Sequence, residues 1–197
     1  MTPIILASKS KARAEVLTGA GVAFEIASAD VDEDAVKVDM LARGEGPRAI
    51  AASLAETKAL RISLSRPGLV IGADQTLEFE GGLYDKVADV AAARERLMLL
   101  RGKPHQLHAA VAVAEGGKIV WRDMASATLT TRAFSPAFLD DYLAREGEAA
   151  LGSVGCYRLE GPGAQLFSAI DGDYFAILGL PLLGLLDFLR SRGVLLA

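Results

Sequence analysis

Three groups of residues in this chain have the types and spacing to do chemistry together. In Val70-Ile71-Gly72-Ala73-Asp74-Gln75-Thr76, an apolar, β-branched run ends in Gly-Ala and a carboxylate follows at once. Gly68 to Ile71 reads as a buried strand. Asp74 then falls where that strand leaves the sheet, the region in which open α/β sheets gather ligands. A carboxylate there needs a cation or hydrogen bonds to offset its desolvation; an Asp that caps a turn is the alternative. The second group, Ser8-Lys9-Ser10-Lys11-Ala12-Arg13, brings hydroxyls, free backbone N–H groups and cations to the start of a helix. That chemistry suits an anion, although the glycines of a phosphate-binding P-loop are missing. A capped helix with solvated lysines is the other reading. The third group is an acid–base set of Asp32, Glu33, Lys58, Asp74 and Lys86. Carboxylates hold Mg²⁺ that bridges to phosphates, and lysines neutralise charge on phosphoryl oxygens. Spacing alone does not bring the five together. Arg101-Gly102-Lys103-Pro104-His105-Gln106 adds a basic turn entering a strand, with His105 open to a structural, binding or catalytic role.

The elements that must position these residues alternate along the chain. Pro3 to Ala7 reads as a strand and Lys11 to Thr18 as a helix capped by Ser8 or Ser10. Val22 to Ala27 reads as a strand, and Asp30 to Asp39 as an acidic loop or short helix. Pro47 opens a long helix over Arg48 to Leu64. Thr76 to Phe79 and Leu83-Tyr84 flank Gly81-Gly82 as a hairpin. Asp89 to Leu100 is a helix. His108 to Ala114 and Lys118 to Thr131 are strands joined at Gly116-Gly117. Ser135 caps a helix over Pro136 to Arg145. Gly152 to Gly163 is a glycine-rich loop, Leu166 to Ile170 a strand, Asp171-Gly172-Asp173 a turn, and Pro181 opens a last helix to Arg190. Helices and expected hairpins are intermixed, so the fold class is α/β or α+β around a mixed sheet flanked by helices, not a pure doubly wound fold.

Bulk properties narrow the function. At 197 residues, 51% of them hydrophobic, the chain can build one large core, read as a single domain over 1–197. No apolar run is long enough to span a bilayer, and the N-terminus lacks the basic region of a signal peptide, so a cytoplasmic protein without a membrane partner is expected. The single cysteine, Cys156, rules out an internal disulfide and a cysteine-based zinc site; a small buried residue and a nucleophile are its two readings. A net charge of −4 argues against a nucleic acid polymer as partner but leaves room for a small anion in a locally basic pocket.

In order and spacing these segments resemble the Maf family (septum formation inhibitor-like) of nucleoside triphosphate pyrophosphatases over nearly the whole chain. Leu6-Ala7-Ser8-Lys9-Ser10-Lys11-Ala12-Arg13 is similar to its opening Leu-Ala-Ser-x-Ser-Pro-x-Arg. Val31-Asp32-Glu33, Ala55-Glu56-Thr57-Lys58-Ala59 and Gly72-Ala73-Asp74 match its next three motifs. Lys86, Arg101-Gly102 with His105, Gly155 with Gly161, Gly172-Asp173-Tyr174 and Gly179-Leu180-Pro181-Leu182 follow in place. The chain departs from the family pattern at Lys11 and Val87, where proline is usual, at Ala12, which stands for the first of a frequent arginine pair, at Ala109, and at Gly152-Ser153-Val154-Gly155.

The resemblance implies a Maf/inosine-triphosphatase-like fold with a cleft between two lobes, a homodimer, and a divalent metal cation, Mg²⁺ or Mn²⁺. It implies hydrolysis of a nucleoside triphosphate to the monophosphate and pyrophosphate. Asp74 and Lys86 would be catalytic, Glu33 and Asp74 would hold the metal, and Ser8, Ser10, Arg13, Lys58, Gln75 and Glu160 would bind substrate. Asp74-Gln75 and Glu160-Gly161 resemble the family's 7-methyl-GTP branch more than its dTTP/UTP branch. A glutamate suits the N1–H and N2–H₂ donors of guanine better than the single N3–H of a pyrimidine. A dTTP/UTP enzyme of the same family, a house-cleaning enzyme of the inosine triphosphatase type, and a non-hydrolysing nucleotide-binding regulator of cell division are the alternatives.

Overall fold

The computed structural model describes residues 2–196. Its frame is a seven-stranded mixed sheet. The apolar β1 (Ile4–Leu6) lies between β2 (Glu25–Ile26) and β3 (Leu69–Phe79) and is parallel to both. On its other side β3 turns antiparallel, pairing with β5 (Pro104–Glu115) from Val70↔Ala114 to Glu78↔Gln106. β5 continues through a glycine turn into β6 (Lys118–Thr131), and β7 (Phe167–Gly172) closes that side, antiparallel to β6. β4 (Gly82–Tyr84) folds back on the end of β3. Its turn residues Glu80 and Gly81 have φ of 51° and 79°, the two left-handed positions a tight type I′ hairpin requires.

The strand expected to stop at Ile71 runs on to Phe79, so Asp74 sits within β3 and not at its exit. The physical reason is the change of neighbour. β1 pairs with β3 only as far as Leu6↔Ile71, while β5 keeps hydrogen-bonding it well beyond. Residues 72–76 thus have β5 on one side and, among the described residues, no strand on the other, since β4 joins only at Leu77↔Tyr84. Asp74 therefore borders the gap that β1 leaves where its pairing with β3 ends.

Among the described residues, seven helices surround the sheet: α1 (Lys11–Gly19), α2 (Glu33–Ala42), α3 (Pro47–Ser63), α4 (Val90–Leu100), α5 (Pro136–Glu146), the single turn α6 (Tyr174–Ile177) and α7 (Leu182–Ser191). The acidic stretch read as a loop or short helix is α2, capped by Asp32, whose carboxylate accepts from Ala35 N at 3.0 Å. β5 begins four residues before the expected His108, because Pro104 to Leu107 already pair with β6. Asp171 and Gly172 belong to β7, and only Asp173 turns the chain, capping α6. Two short 3₁₀ turns, Gly147–Gly152 and Pro162–Leu166, bracket the glycine-rich loop.

Strand alternation sorts the β3 side chains. Leu69, Ile71 and Ala73 join an apolar cluster with α1 and α7, whereas Leu77 and Phe79 join a second cluster with α4 and α5. Gln75 falls between the two. The opposite face belongs to α3, whose Ala51, Ala55 and Ala59 pack on Ala110, Ala112 and Ala114 of β5. Small residues on both sides let helix and sheet come close. Gly72 is the limiting contact: a Cβ there would lie 2.1 Å from the Ala55 carbonyl oxygen and 2.6 Å from Ala59 N. Gly72→Ala should therefore push α3 away and cost about 3 kcal/mol, as overpacked cores do. Urea denaturation of the variant tests this; a midpoint within error of the parent would show that the close approach is not limiting.

Candidate active site

Lys58 projects from the middle of α3 against β3, in the same turn as the alanines that touch Gly72. Its side chain is 9% exposed. A lysine at that depth needs compensation, and two carboxylates supply it: Asp74 Oδ1 at 2.5 Å and Glu33 Oε1 at 2.8 Å. Glu33 is the first residue of α2, where the free N–H groups of the helix also favour an anion. Burial raises the Glu33 pKa, but the hydrogen bond and charge of Lys58, with Lys37 and Arg13, bring it below the ordinary carboxylate value. Each carboxylate gives one oxygen to Lys58.

The hydroxyls of the first motif organise the opposite wall. Ser10 caps α1 by accepting from Arg13 N at 3.4 Å, and the buried Ser8 hydroxyl accepts from Ser10 N at 3.2 Å and from the Arg13 guanidinium at 3.1 Å. Arg13 Nε donates to the Gly179 carbonyl at 2.8 Å. The guanidinium is thus clamped between the α1 entry and the turn after α6. Burial lowers its pKa, opposed by Asp74 and Glu33. Lys86 stands just beyond β4 and makes no ion pair among the described residues; desolvation and then Arg13 lower its ammonium pKa against the pull of Glu33 and Asp74.

These side chains line one open cleft of about 920 Å³. All nine residues expected at the site are on its wall: Ser8, Ser10, Arg13, Glu33, Lys58, Asp74, Gln75, Lys86 and Glu160. Asp32 is not, being spent as the α2 cap. Glu160 is exposed, on the loop after Arg158. Gln75, expected to face a base, directs its amide nitrogen elsewhere, donating to Ala176 O at 2.8 Å and Ile177 O at 2.9 Å. Both amide hydrogens hold the end of α6, and the next turn carries the Gly179 carbonyl that grips Arg13. Gln75 is therefore a positioning residue for Arg13. Gln75→Leu should raise KM for an anionic substrate about tenfold with a smaller change in kcat; the reverse split would overturn that assignment.

The structure gives roles to two further cations on the cleft wall. Lys37, one turn after Glu33, bonds Asp85 Oδ1 at 2.7 Å and so ties α2 to the segment that carries Lys86. Its i, i+4 spacing from Glu33 was the available signal. Arg158 forms a two-pronged pair with Glu146 at 2.8 and 3.2 Å, which anchors the loop that bears Glu160.

Two candidates leave the chemistry. Cys156 is fully buried, and burial pushes its thiol up to about 11, so it is a core residue and not a nucleophile. His105 lies outside the cleft wall, 2.7 Å from the hydroxyl of Tyr157, which does line it. Burial pushes the imidazole down to about 4. The unfolded ring protonates near 6.5, so between these values the unfolded state binds more protons. This contribution to stability is complete above the unfolded pKa and is lost as pH falls toward the folded one. In His105→Gln the acid limb of stability between about pH 6.5 and 4 should flatten, as read from melting temperature against pH; an unchanged limb would show that His105 does not set it.

The donor set also suits a divalent metal. The uncommitted oxygens of Glu33 and Asp74 form an oxygen-only pair, the kind that Mg²⁺ or Mn²⁺ shares with waters and phosphates. Among the described residues no cluster of three or more His, Cys, Asp or Glu makes a self-sufficient metal cage, so substrate oxygens would complete the coordination.

The family model described as Maf-like protein matches residues 3–192. The chain is 58% identical to a nucleoside triphosphate pyrophosphatase of Caulobacter vibrioides, over 99% of this chain and 98% of that one. It is 48% identical to a 7-methyl-GTP pyrophosphatase of Brucella abortus, over 96% of each. Among solved structures, a HAM1 protein from Coxiella burnetii matches 68% of this chain and 75% of its own with TM-score 0.42 and 16% identity.

Proposed function

We propose a specific substrate for a chain that belongs to the Maf-like protein family and to its enzyme class, nucleoside triphosphate pyrophosphatase: a guanine nucleotide carrying a cationic, N7-methylated base, such as 7-methyl-GTP. It would be cleaved between the α- and β-phosphates to the monophosphate and pyrophosphate. The observation that carries the reading of the site is Lys58 held between Asp74 and Glu33, in a cleft whose wall also carries Arg13 and Lys86. Three cations facing two carboxylates accommodate a polyphosphate that brings a divalent cation with it.

In this mechanism Arg13 and Lys86 bind the phosphate chain, with the α1 N-terminus and the Ser8 and Ser10 hydroxyls beside them. Lys58 fixes the Asp74 rotamer through Oδ1, leaving Oδ2 to act as general base or, where it holds the metal, to orient the attacking water. Lys86, not committed to any carboxylate, stabilises charge as it builds on the leaving pyrophosphate. Glu33 and Asp74 would hold the metal, which when bound polarises phosphate oxygens and lowers the pKa of water.

The base assignment rests on Glu160. Its carboxylate stands on the cleft wall without a partner among the described side chains and offers two acceptors to the N1–H and N2–H₂ edge of guanine. It also favours a positively charged base. The more similar relative is named only by enzyme class and the less similar one as a 7-methyl-GTP enzyme, so the substrate has to be decided by assay.

Pyrophosphate release with Mg²⁺ or Mn²⁺ should be compared for 7-methyl-GTP, GTP, UTP, dTTP and ITP. A kcat/KM for 7-methyl-GTP about tenfold or more above that for UTP is expected, with Glu160→Gln narrowing the gap. Preference for UTP or dTTP would retain the enzyme class and reject Glu160 as a guanine reader. Nucleotide binding without release would favour the regulatory alternative. Asp74→Asn keeps the hydrogen bond from Lys58 and should lower kcat about 10³- to 10⁴-fold in a protein that still folds, with a lowered melting temperature because Glu33 alone then balances the buried ammonium. Near-normal turnover in that variant would remove Asp74 from catalysis.

A further inference from the structure

A second concavity of about 530 Å³ opens beside the cleft, between α1 and α7. Val16 and Gly19 of α1, Phe175 of α6 and Leu182, Leu183 and Leu186 of α7 line it. It is continuous with the cleft: Ala12, Glu15, Leu178 and Glu160 border both. From Ala12 to Gly19 it follows roughly 10 Å of helix, leading away from the phosphate-facing end of α1. Its walls are almost wholly apolar, yet Leu183 is 60% exposed, and a large leucine open to water along an apolar groove marks a place where something binds. The only charged side chains on it, Glu15 and Glu160, are both acidic and both lie on the border shared with the cleft.

We propose that this groove is a subsite for an apolar substituent carried by the base of the bound nucleotide, so that the enzyme accepts purine triphosphates alkylated or arylated with groups larger than methyl. This rests on the proposed reading of the cleft as a site for a guanine nucleotide. Two features select this occupant. A base placed at Glu160 stands at the mouth of the groove, so a substituent on it has a continuous path past Ala12 and Leu178 onto the leucines of α7. The Glu160 carboxylate at the mouth, with Glu15 beside it paired to Lys11 at 3.6 Å, complements the positive charge that N7-substitution puts on guanine, while the interior complements an uncharged hydrocarbon. Ala12 keeps the passage open, because its methyl leaves the start of α1 uncovered. The groove exceeds what a methyl group fills, so the substrate range extends beyond the methylated base.

The test compares pyrophosphate release from N7-benzyl-GTP and N7-methyl-GTP, each as kcat/KM, by the wild-type protein and by Leu183→Asp and Ala12→Trp. Leu183→Asp puts a charge on the groove floor at an exposed position; Ala12→Trp blocks the passage. The wild type should prefer the benzyl compound about tenfold, and both variants should bring the ratio to about one or below. A wild-type ratio of one or less, or a preference that survives in both variants, overturns the proposal while leaving the pyrophosphatase reading intact. Sedimentation of the wild type and Leu183→Asp completes it: an assembly that falls apart in Leu183→Asp identifies the groove as an interface between copies of this chain and also overturns it. No release from any triphosphate removes the reading on which the proposal rests, and the proposal with it.

Discussion

The buried ammonium of Lys58 is the constraint from which the site follows. A lysine taken out of water needs opposite charge at hydrogen-bond distance, and removing one partner would leave a buried charge unbalanced. Its two partners come from elements far apart in sequence, the first turn of α2 and the middle of β3. The pairing holds only if α3 lies close enough to the sheet for a lysine to bond a strand residue directly. Gly72 and the alanines at 55 and 59 make that approach possible. The hydrogen bond from the Thr76 hydroxyl to the Pro47 carbonyl, at 2.9 Å, pins the start of α3 to the same strand. Backbone proximity and charge pairing are two aspects of one contact.

Topology decides that this contact faces a ligand and not the core. β3 is central in the sheet, yet at residues 72–76 one of its edges lacks a strand partner, because β1 has ended and β4 has not begun. A substrate can reach Asp74 there without disturbing the antiparallel ladder to β5. Below that gap the two apolar clusters separate, one with α1 and α7 and one with α4 and α5. Gln75 joins the sheet to α6 where they part. The rigidity of Arg13 comes from this joint, through the carbonyls of residues 176 and 177 and the turn to Gly179.

Local chemistry was the legible part of the sequence. Ser8 or Ser10 as cap, of which the structure uses Ser10, Pro47 as the first residue of α3, Asp89 and Ser135 as helix starts, and the glycine turns all read from residue type, since each acts within a few positions of itself. Order and spacing of motifs also gave the family, and with it the residues that line the cleft. Four features escaped because they depend on partners remote in sequence. The length of β3 is set by β5, not by its own apolar run. The burial of Lys58 depends on a glycine 14 positions away. The direction of the Gln75 amide depends on carbonyls more than 100 residues later. The Arg158–Glu146 pair that anchors the Glu160 loop joins α5 to a segment with no regular structure. Asp32, by contrast, was drawn into the acid–base set on type alone, and its local role as an N-cap took it out.

The charge balance of the cleft gives the last step. Glu33 and Asp74 together balance Lys58, and Arg13 gives two of its five N–H donors to Ser8 and Gly179 and keeps the rest for a ligand. Lys86 has only solvent and a field that is on balance unfavourable, with burial and Arg13 outweighing the two carboxylates. A cation left in that state is a group kept ready for an anion that the chain does not itself provide. The free carboxylate oxygens on the other side are in the converse state, acceptors that the chain does not fill. A ligand that satisfies both must be anionic toward Lys86 and cationic toward Glu33 and Asp74. A polyphosphate with its divalent cation meets that description, whereas a phosphate chain alone would meet carboxylates and a metal ion alone would leave Lys86 unpaired. On the proposed function, the pairing within the protein would select the complex of nucleotide and metal over either component.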